Sequence, residues 1–181
     1  VRIIRGSLKG KRFATPPNFP SRPTTDYAKE GLFNVLENRV DFEDLQVLDL
    51  CAGTGNISFE FISRGVTSLL AIDSHPRCIQ YLKKNALELQ ITERMQVYKS
   101  DCVVYCRNAK EVQYDLIFAD PPFHLGFHNE LIETIFARNL LKPGGQLIIE
   151  HGKQDQFQDL PQFELCRNFG AVHFSFFSLP S

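Results

Sequence analysis

VLDLCAGTGNIS, residues 47–58, runs from an apolar stretch into a turn with two glycines and out into a helix-like pattern. Gly53 and Gly55 allow a tight turn and let the backbone approach a ligand closely. A buried strand, a glycine-bearing turn and a helix in that order open a nucleotide-binding α/β fold. The match to the dinucleotide fingerprint is partial, because Ser58 stands at the third glycine position. Asp73 follows Gly53 by 20 residues, at the end of the next apolar run. A carboxylate there can accept hydrogen bonds from both ribose hydroxyls of a nucleoside. On these features alone a nicotinamide cofactor is admissible. Asp49 shifts the chemistry. An acid inside the strand, just before the turn, repels a pyrophosphate and suits a cation such as the sulfonium and α-amino groups of S-adenosylmethionine. The alternative is a carboxylate that bonds the loop's own amides. Asp101 closes the third apolar run, where it can accept from an adenine amino group, cap the following helix, or do both. Its neighbours Ile72 and Cys102 suit either an adenine face or the core.

Outward from that turn, apolar runs at 47–51, 68–72, 95–98, 116–119 and 146–150 alternate with helical patterns near 56–64, 76–88, 102–110 and 126–141. Such alternation predicts a mostly parallel, doubly wound sheet. The tail, PQFELCRNFG and AVHFSFFSL, reads as two further strands joined at Gly170, an antiparallel end that brings the sheet to seven strands. Ahead of the core, RIIRGSLKGKRFATP reads as a short β-hairpin and PNFPSRPTTD as a Pro-rich linker. Thr24, Thr25 or Asp26 can cap a helix whose stripe is Leu32, Phe33, Val35 and Leu36. A chain of 181 residues is expected to form one domain, with the extension and linker over 1–24 and the catalytic core over 25–181.

An apolar content of 43% and a charged content of 23% are those of an ordinary globular chain. No run is long enough to cross a bilayer and no charged-then-apolar segment reads as a signal peptide, so a membrane role is not expected. Five scattered cysteines argue against a disulfide framework and for the cytoplasm. Cys102/Cys106 and His124/His128 are each four apart, but no second pair joins them at ligand spacing, and no metal site is expected. The net charge of −1 conceals an asymmetry. Arg2, Arg5, Lys9, Lys11, Arg12 and Arg22 stand in the first 25 residues without an acid, while the remainder holds 14 basic and 21 acidic side chains. A basic arm on an acidic body points to a polyanion contacted at one place; the other reading is a solvated surface hairpin. Nothing calls for an obligate interface, and a monomer is expected.

IFADPPF, residues 117–123, ends an apolar strand with an acid, two prolines and an aromatic. Ligands of parallel α/β sheets bind beyond the carboxyl ends of the strands, so this loop shares an edge with the glycine turn. The exocyclic amine of a nucleobase is a poor nucleophile, because its lone pair is delocalised into the ring. Methylating it requires two acceptors for its two hydrogens. Asp120 and the Pro121 carbonyl can provide them, Pro122 stiffens the loop, and Phe123 offers a face for an extruded base. The bland reading is a strand stopped by a Pro-Pro turn with a core Phe.

With RIIRGSLKG, RPTTDYAKEGLFNVL, VLDLCAGTGNISFEFISRG, DLIFADPPF, LLKPGGQLIIEH and RNFGAVHFSFF, the chain resembles the RsmD-type 16S ribosomal RNA guanine-N2 methyltransferases over nearly its whole length. The resemblance implies a class I S-adenosylmethionine-dependent methyltransferase (Rossmann-like) fold and methyl transfer to the N2 amine of one guanine of 16S rRNA, within assembled or assembling 30S subunits. It assigns cofactor contacts to Asp49, Gly53, Gly55, Asp73 and Asp101, target-base contacts to Asp120, Pro121, Pro122 and Phe123, and a place near the active-site mouth to Thr25 and Lys29. Phe123 stands where that family usually has Tyr, Cys51 where it has a bulkier aromatic, and Tyr27 where it has Arg; Arg5 and Ser7 also depart from its hairpin. Methylation of the exocyclic amine of another RNA or DNA base, a nicotinamide-dependent oxidoreductase and a non-catalytic RNA-binding assembly factor are the rival readings.

Overall fold

Period-two alternation along the strands divides the apolar residues between two faces, and both faces are covered by helices. The computed structural model describes residues 1–122 and 126–180. Its strands are β1 (Gln46–Leu50), β2 (Ser68–Asp73), β3 (Met95–Lys99), β4 (Tyr114–Ala119), β5 (Leu141–His151), β6 (Phe163–Phe169) and β7 (Val172–Phe177). Its α-helices are α1 (Asp26–Glu37), α2 (Asn56–Ser63), α3 (Pro76–Glu88), α4 (Cys102–Asn108) and α5 (Phe127–Ala137). The sheet order is β3-β2-β1-β4-β5-β7-β6, parallel through β5, with β7 antiparallel to both β5 and β6. This is the class I Rossmann-like methyltransferase sheet. Val47, Leu116, Phe118 and Ile148 face one core with α1, α2 and α3. Leu48, Ile117, Ala119, Leu147 and Ile149 face the other with α4 and α5.

Two later segments differ from the sequence expectation, whereas the short N-terminal β-hairpin forms. Around the antiparallel Arg2–Arg12 bridge, Val1 and Phe13 exchange backbone hydrogen bonds at 3.2 and 3.0 Å, Ile3 N donates to the Lys11 carbonyl at 3.0 Å, and Gly10 N donates to the Ile3 carbonyl at 2.9 Å. The amides toward its tip bind α2: Ile4 and Arg5 donate to the Glu60 carboxylate at 2.9 and 3.1 Å, Ser7 to the Ser63 carbonyl at 2.8 Å and Leu8 to Ser63 Oγ at 2.9 Å. Helix α5 stops at Ala137 because Asn139 takes a left-handed φ of 56° and Leu141 already pairs with Tyr114. Strand β5 therefore starts before Pro143-Gly144-Gly145, and a register shift between Tyr114 and Leu116 absorbs that segment.

The arm is anchored by a buried ion pair. Lys29, on the core face of α1, is fully buried, with Nζ 3.2 Å from Glu60 Oε1 and 2.8 Å from Asn56 Oδ1. The same ammonium donates to the Arg2 carbonyl, and Arg64 Nε holds the other Glu60 oxygen at 2.9 Å. A buried ammonium is tolerable only with its partners in place. Lys29→Ala is expected to cost about 3 kcal/mol, the low end for breaking a buried pair because Arg64 and two amides remain on Glu60. Chemical denaturation measures the loss, and faster proteolysis within residues 1–13 reports release of the arm. Unchanged stability and protection would place the anchorage elsewhere.

Candidate active site

The carboxyl ends of β1, β2 and β4 open into a cleft of 440 Å³, within the roughly 300–1,000 Å³ common for small-ligand sites. The glycine turn forms its floor. Ala52 N donates to the Ile72 carbonyl and Gly55 N to the Ala52 carbonyl, both at 2.8 Å, which folds residues 51–55 back over β2. Gly55, at φ 76°, precedes α2 beneath the floor. Gly53, at φ 58°, lines the cleft and donates its N–H to Asp73 Oδ2 at 2.9 Å, while His75 N donates to Asp73 Oδ1 at 2.9 Å. Cys51 also adopts a left-handed φ of 57°, and its Sγ lies 3.1 Å from that of Cys102.

Asp49 sits under this turn with 2% of its surface exposed and accepts from Ser58 Oγ at 2.5 Å. Burial pushes its carboxyl up to about 7; the Ser58 bond offsets part of that, and Asp73 and Glu150 add to it. Asp120, one residue past β4, is pushed well above the ordinary carboxylate range, by burial first and then by Glu150 and Asp49. Burial also raises Glu150 at the end of β5, although Thr24 Oγ1 donates to its Oε1 at 2.7 Å. Asp49 and Asp120 form an acidic floor, with Glu150 behind it, and their charges gain from a cation. The lining carries Asp49, Asp73, Asp101 and Asp120 against a single arginine, Arg22. A pyrophosphate would be repelled there, whereas a sulfonium and an ammonium fit.

Among the expected cofactor residues, Asp49, Gly53, Asp73 and Asp101 line one cleft, and Gly55 supports it from below. Asp101 is exposed, lines the cleft and caps α4, its Oδ1 accepting from Val104 N at 3.0 Å, so the cap role is realised. Cys102 lines the cleft, whereas Ile72 belongs to the core. Asp120 and Pro122 reach the same cleft and Pro121 is buried behind it. Phe123 and His124 lie outside the described residues. Among those residues, no group of three or more His, Cys, Asp or Glu side chains is arranged to hold a metal.

Thr25 and Lys29 do not line the cleft themselves, although each adjoins a residue that does, Thr24 in the chain and Asn56 through a hydrogen bond. Thr25 caps α1, accepting from Ala28 N at 3.2 Å, and Lys29 points into the core, because the face of α1 that carries it packs on α2. Thr24 is the member of that motif that lines the cleft. Of the basic arm, Arg22 reaches the cleft, Lys9, Lys11 and Arg12 are exposed, Arg2 pairs with Asp26 at 2.9 Å and Arg5 lies 3.6 Å from Glu37. Sequence reasoning missed Thr24 and Glu150. An acid closing the apolar run QLIIE was the available signal, of the same kind that singled out Asp120.

Residues 1–178 match the family described as Conserved hypothetical protein 95. The chain belongs to that family. Ribosomal RNA small subunit methyltransferase D of Escherichia coli K12 is 34% identical over 150 residues, covering 83% of this chain and 71% of its own. The Haemophilus influenzae protein of the same name is 30% identical over 155 residues, covering 84% and 79%. A solved hypothetical protein of Thermus thermophilus shares the fold, with a TM-score of 0.85, 24% identity, and coverage of 99% of both chains. The family member described here is an S-adenosylmethionine-dependent methyltransferase.

The glycine turn yields a direct test. A Cβ on Gly55 would lie 2.5 Å from Leu82 Cδ2 and 2.7 Å from Phe59 Cε2, at a left-handed φ. Gly55→Ala is expected to lose more than the roughly 1–2 kcal/mol of the backbone conformation alone. Gly10→Ala, at φ 87° with nothing described within 4 Å of its Cβ, should lose only that backbone part. Equilibrium denaturation of both variants compares them; equal losses would show that the close approach at Gly55 is slack.

Proposed function

We propose that this methyltransferase modifies the exocyclic N2 amine of a guanine in 16S ribosomal RNA, in the 30S subunit or its assembly intermediate. The observation that carries this reading is the position of Asp120: a partly buried carboxyl with Pro121 buried behind it and Pro122 beside it on the lining, in the cleft whose floor holds Asp49. The names of the small-subunit relatives support ribosomal RNA as the substrate.

Bound in the cleft, S-adenosylmethionine supplies a methyl group already activated on a sulfonium sulfur. The chain's own residues position and orient. Asp49 faces the cationic end. Each Asp73 oxygen accepts one amide and keeps a lone pair for a ribose hydroxyl. Asp101 takes the adenine amino group on the oxygen that α4 leaves available, and Gly53 brings backbone close to the ligand. Asp120 and the Pro121 carbonyl accept the two amine hydrogens, which turns the nitrogen lone pair toward the methyl group. Pro122 limits the loop's freedom, and Phe123 stacks on the base. Lys9, Lys11, Arg12 and Arg22 contact RNA phosphates; Arg2 and Arg5 join them from ion pairs that are about half exposed.

Nucleoside mass spectrometry of small-subunit rRNA from cells lacking the protein tests the substrate. One N2-methylguanosine is expected to vanish and to return with the wild-type gene but not with Asp120→Ala; an intact modification set would defeat the reading. Purified Asp120→Ala should keep cofactor binding and lose at least about 100-fold in transfer rate.

Asp49 sets a pH dependence. Its carboxyl, at about 7 in the free protein, must ionise to face a cation. Binding below about pH 7 therefore releases a proton, and affinity for S-adenosylmethionine falls toward tenfold per pH unit as pH drops. Calorimetry in buffers of different ionisation enthalpy should detect that proton. Asp49→Asn should bind more weakly and lose the dependence; an unchanged affinity would make Asp49 a structural acid.

A further inference from the structure

Glu150 lines no part of the cleft surface, yet it is built into the wall behind Asp120. Parallel pairing of β4 with β5 sets Ala119 opposite Ile149, so the next residues, Asp120 and Glu150, come side by side. So placed, each carboxyl acts on the other, Glu150 raising Asp120 and Asp120 lowering Glu150. Two carboxylates side by side in a buried wall cannot both ionise cheaply, so the pair holds a proton between them. Glu150 is itself fixed from the opposite side by a chain that runs into the core. Thr24 Oγ1 donates to Glu150 Oε1 at 2.7 Å, Asn56 Nδ2 donates to the Thr24 carbonyl at 2.7 Å, and Lys29 Nζ donates to Asn56 Oδ1 at 2.8 Å.

We propose that Glu150 is a positioning residue and proton relay for Asp120: clamped by Thr24, it takes one Asp120 oxygen and thereby presents the other to the substrate amine. The inference rests on the reading of Asp120 as the amine's acceptor. After gaining a methyl group the amine nitrogen carries one proton too many. That proton moves to the Asp120 oxygen facing the cleft, and the N–H electron pair stays on nitrogen. The proton already on the other Asp120 oxygen moves to Glu150, its bonding pair staying on Asp120, so Asp120 ends with one proton as it began. The charged and titratable groups facing the pair are Asp49 from β1 and the Cys51 thiol from the glycine turn, with Thr24 as the neutral clamp. Asp49 and Glu150 both favour a protonated Asp120, and among the described residues Glu150 is the group placed to receive the proton onward.

The test uses the full chain with ¹³C-labelled Asp and Glu carboxyls, titrated by NMR without RNA, beside turnover on small ribosomal subunits from cells lacking the protein. In the wild type, Asp120 and Glu150 should titrate together in two separated steps. In Glu150→Gln, Asp120 should titrate in one step at lower pH, with S-adenosylmethionine affinity unchanged well above pH 7, where Asp49 is already ionised. The same variant should lower kcat about 10–100-fold with little change in KM and move the acid limb of the pH–rate profile to lower pH. Thr24→Val, which keeps both carboxyls, should shift the titration partway. An Asp120 titration in Glu150→Gln that superimposes on the wild type would overturn the proposal, as would an unmoved acid limb. Coupled titration in a wild type that methylates no ribosomal RNA would overturn the functional reading and leave the pairing standing.

Discussion

Parallel strands that end on one edge concentrate their terminal side chains, and in this chain those side chains are acids. β1 contributes Asp49, β2 Asp73, and the residues just beyond β3 and β4 are Asp101 and Asp120; β5 adds Glu150. The registers between β2, β1, β4 and β5 leave little freedom to separate them. Mutual repulsion and burial then govern the protonation state of the whole cleft. The raised carboxyls of Asp49, Asp120 and Glu150 are three expressions of that single constraint. A cationic ligand relieves it, which is why the same floor that disfavours a dinucleotide suits S-adenosylmethionine.

The N-terminal arm is more than an appendage to this sheet. Its amides serve Glu60 and Ser63 of α2, and the Lys29 ammonium joins Glu60, the Arg2 carbonyl and Asn56 in one buried cluster. From Asn56 the hydrogen bonds continue through Thr24 to Glu150, beside Asp120. The segment that carries the basic residues and the wall of the cleft thus share one network.

Acid-rich floors carry a cost in stability. With its folded carboxyl raised to about 7, Asp49 costs stability that grows as pH climbs past the unfolded carboxyl's range and is complete above about 7. An apolar side chain would fill the same space without that cost. Cys51, held at a left-handed φ beside Cys102, is a second local conflict at the same cleft.

Much of this was legible along the chain, because strand period, helix period and glycine turns are local properties. The seven strands, their antiparallel end and the cleft acids Asp49, Asp73, Asp101 and Asp120 follow from spacing and from the rule that ligands sit at strand ends. The short hairpin was legible as well, but not where its tip docks, because the Ile4 and Arg5 amides find a partner about 55 residues away on α2, which no local pattern reveals. Lys29 reads as a surface cation until α1 is docked, and Glu150 reads as a strand-ending acid until β5 lies beside β4. Local pattern thus dictates which elements form and which acids end them. Which of those acids touch is a matter of three-dimensional packing, because contact between residues 24, 56, 120 and 150 depends on neighbours across the sheet edge and not on any spacing along the chain.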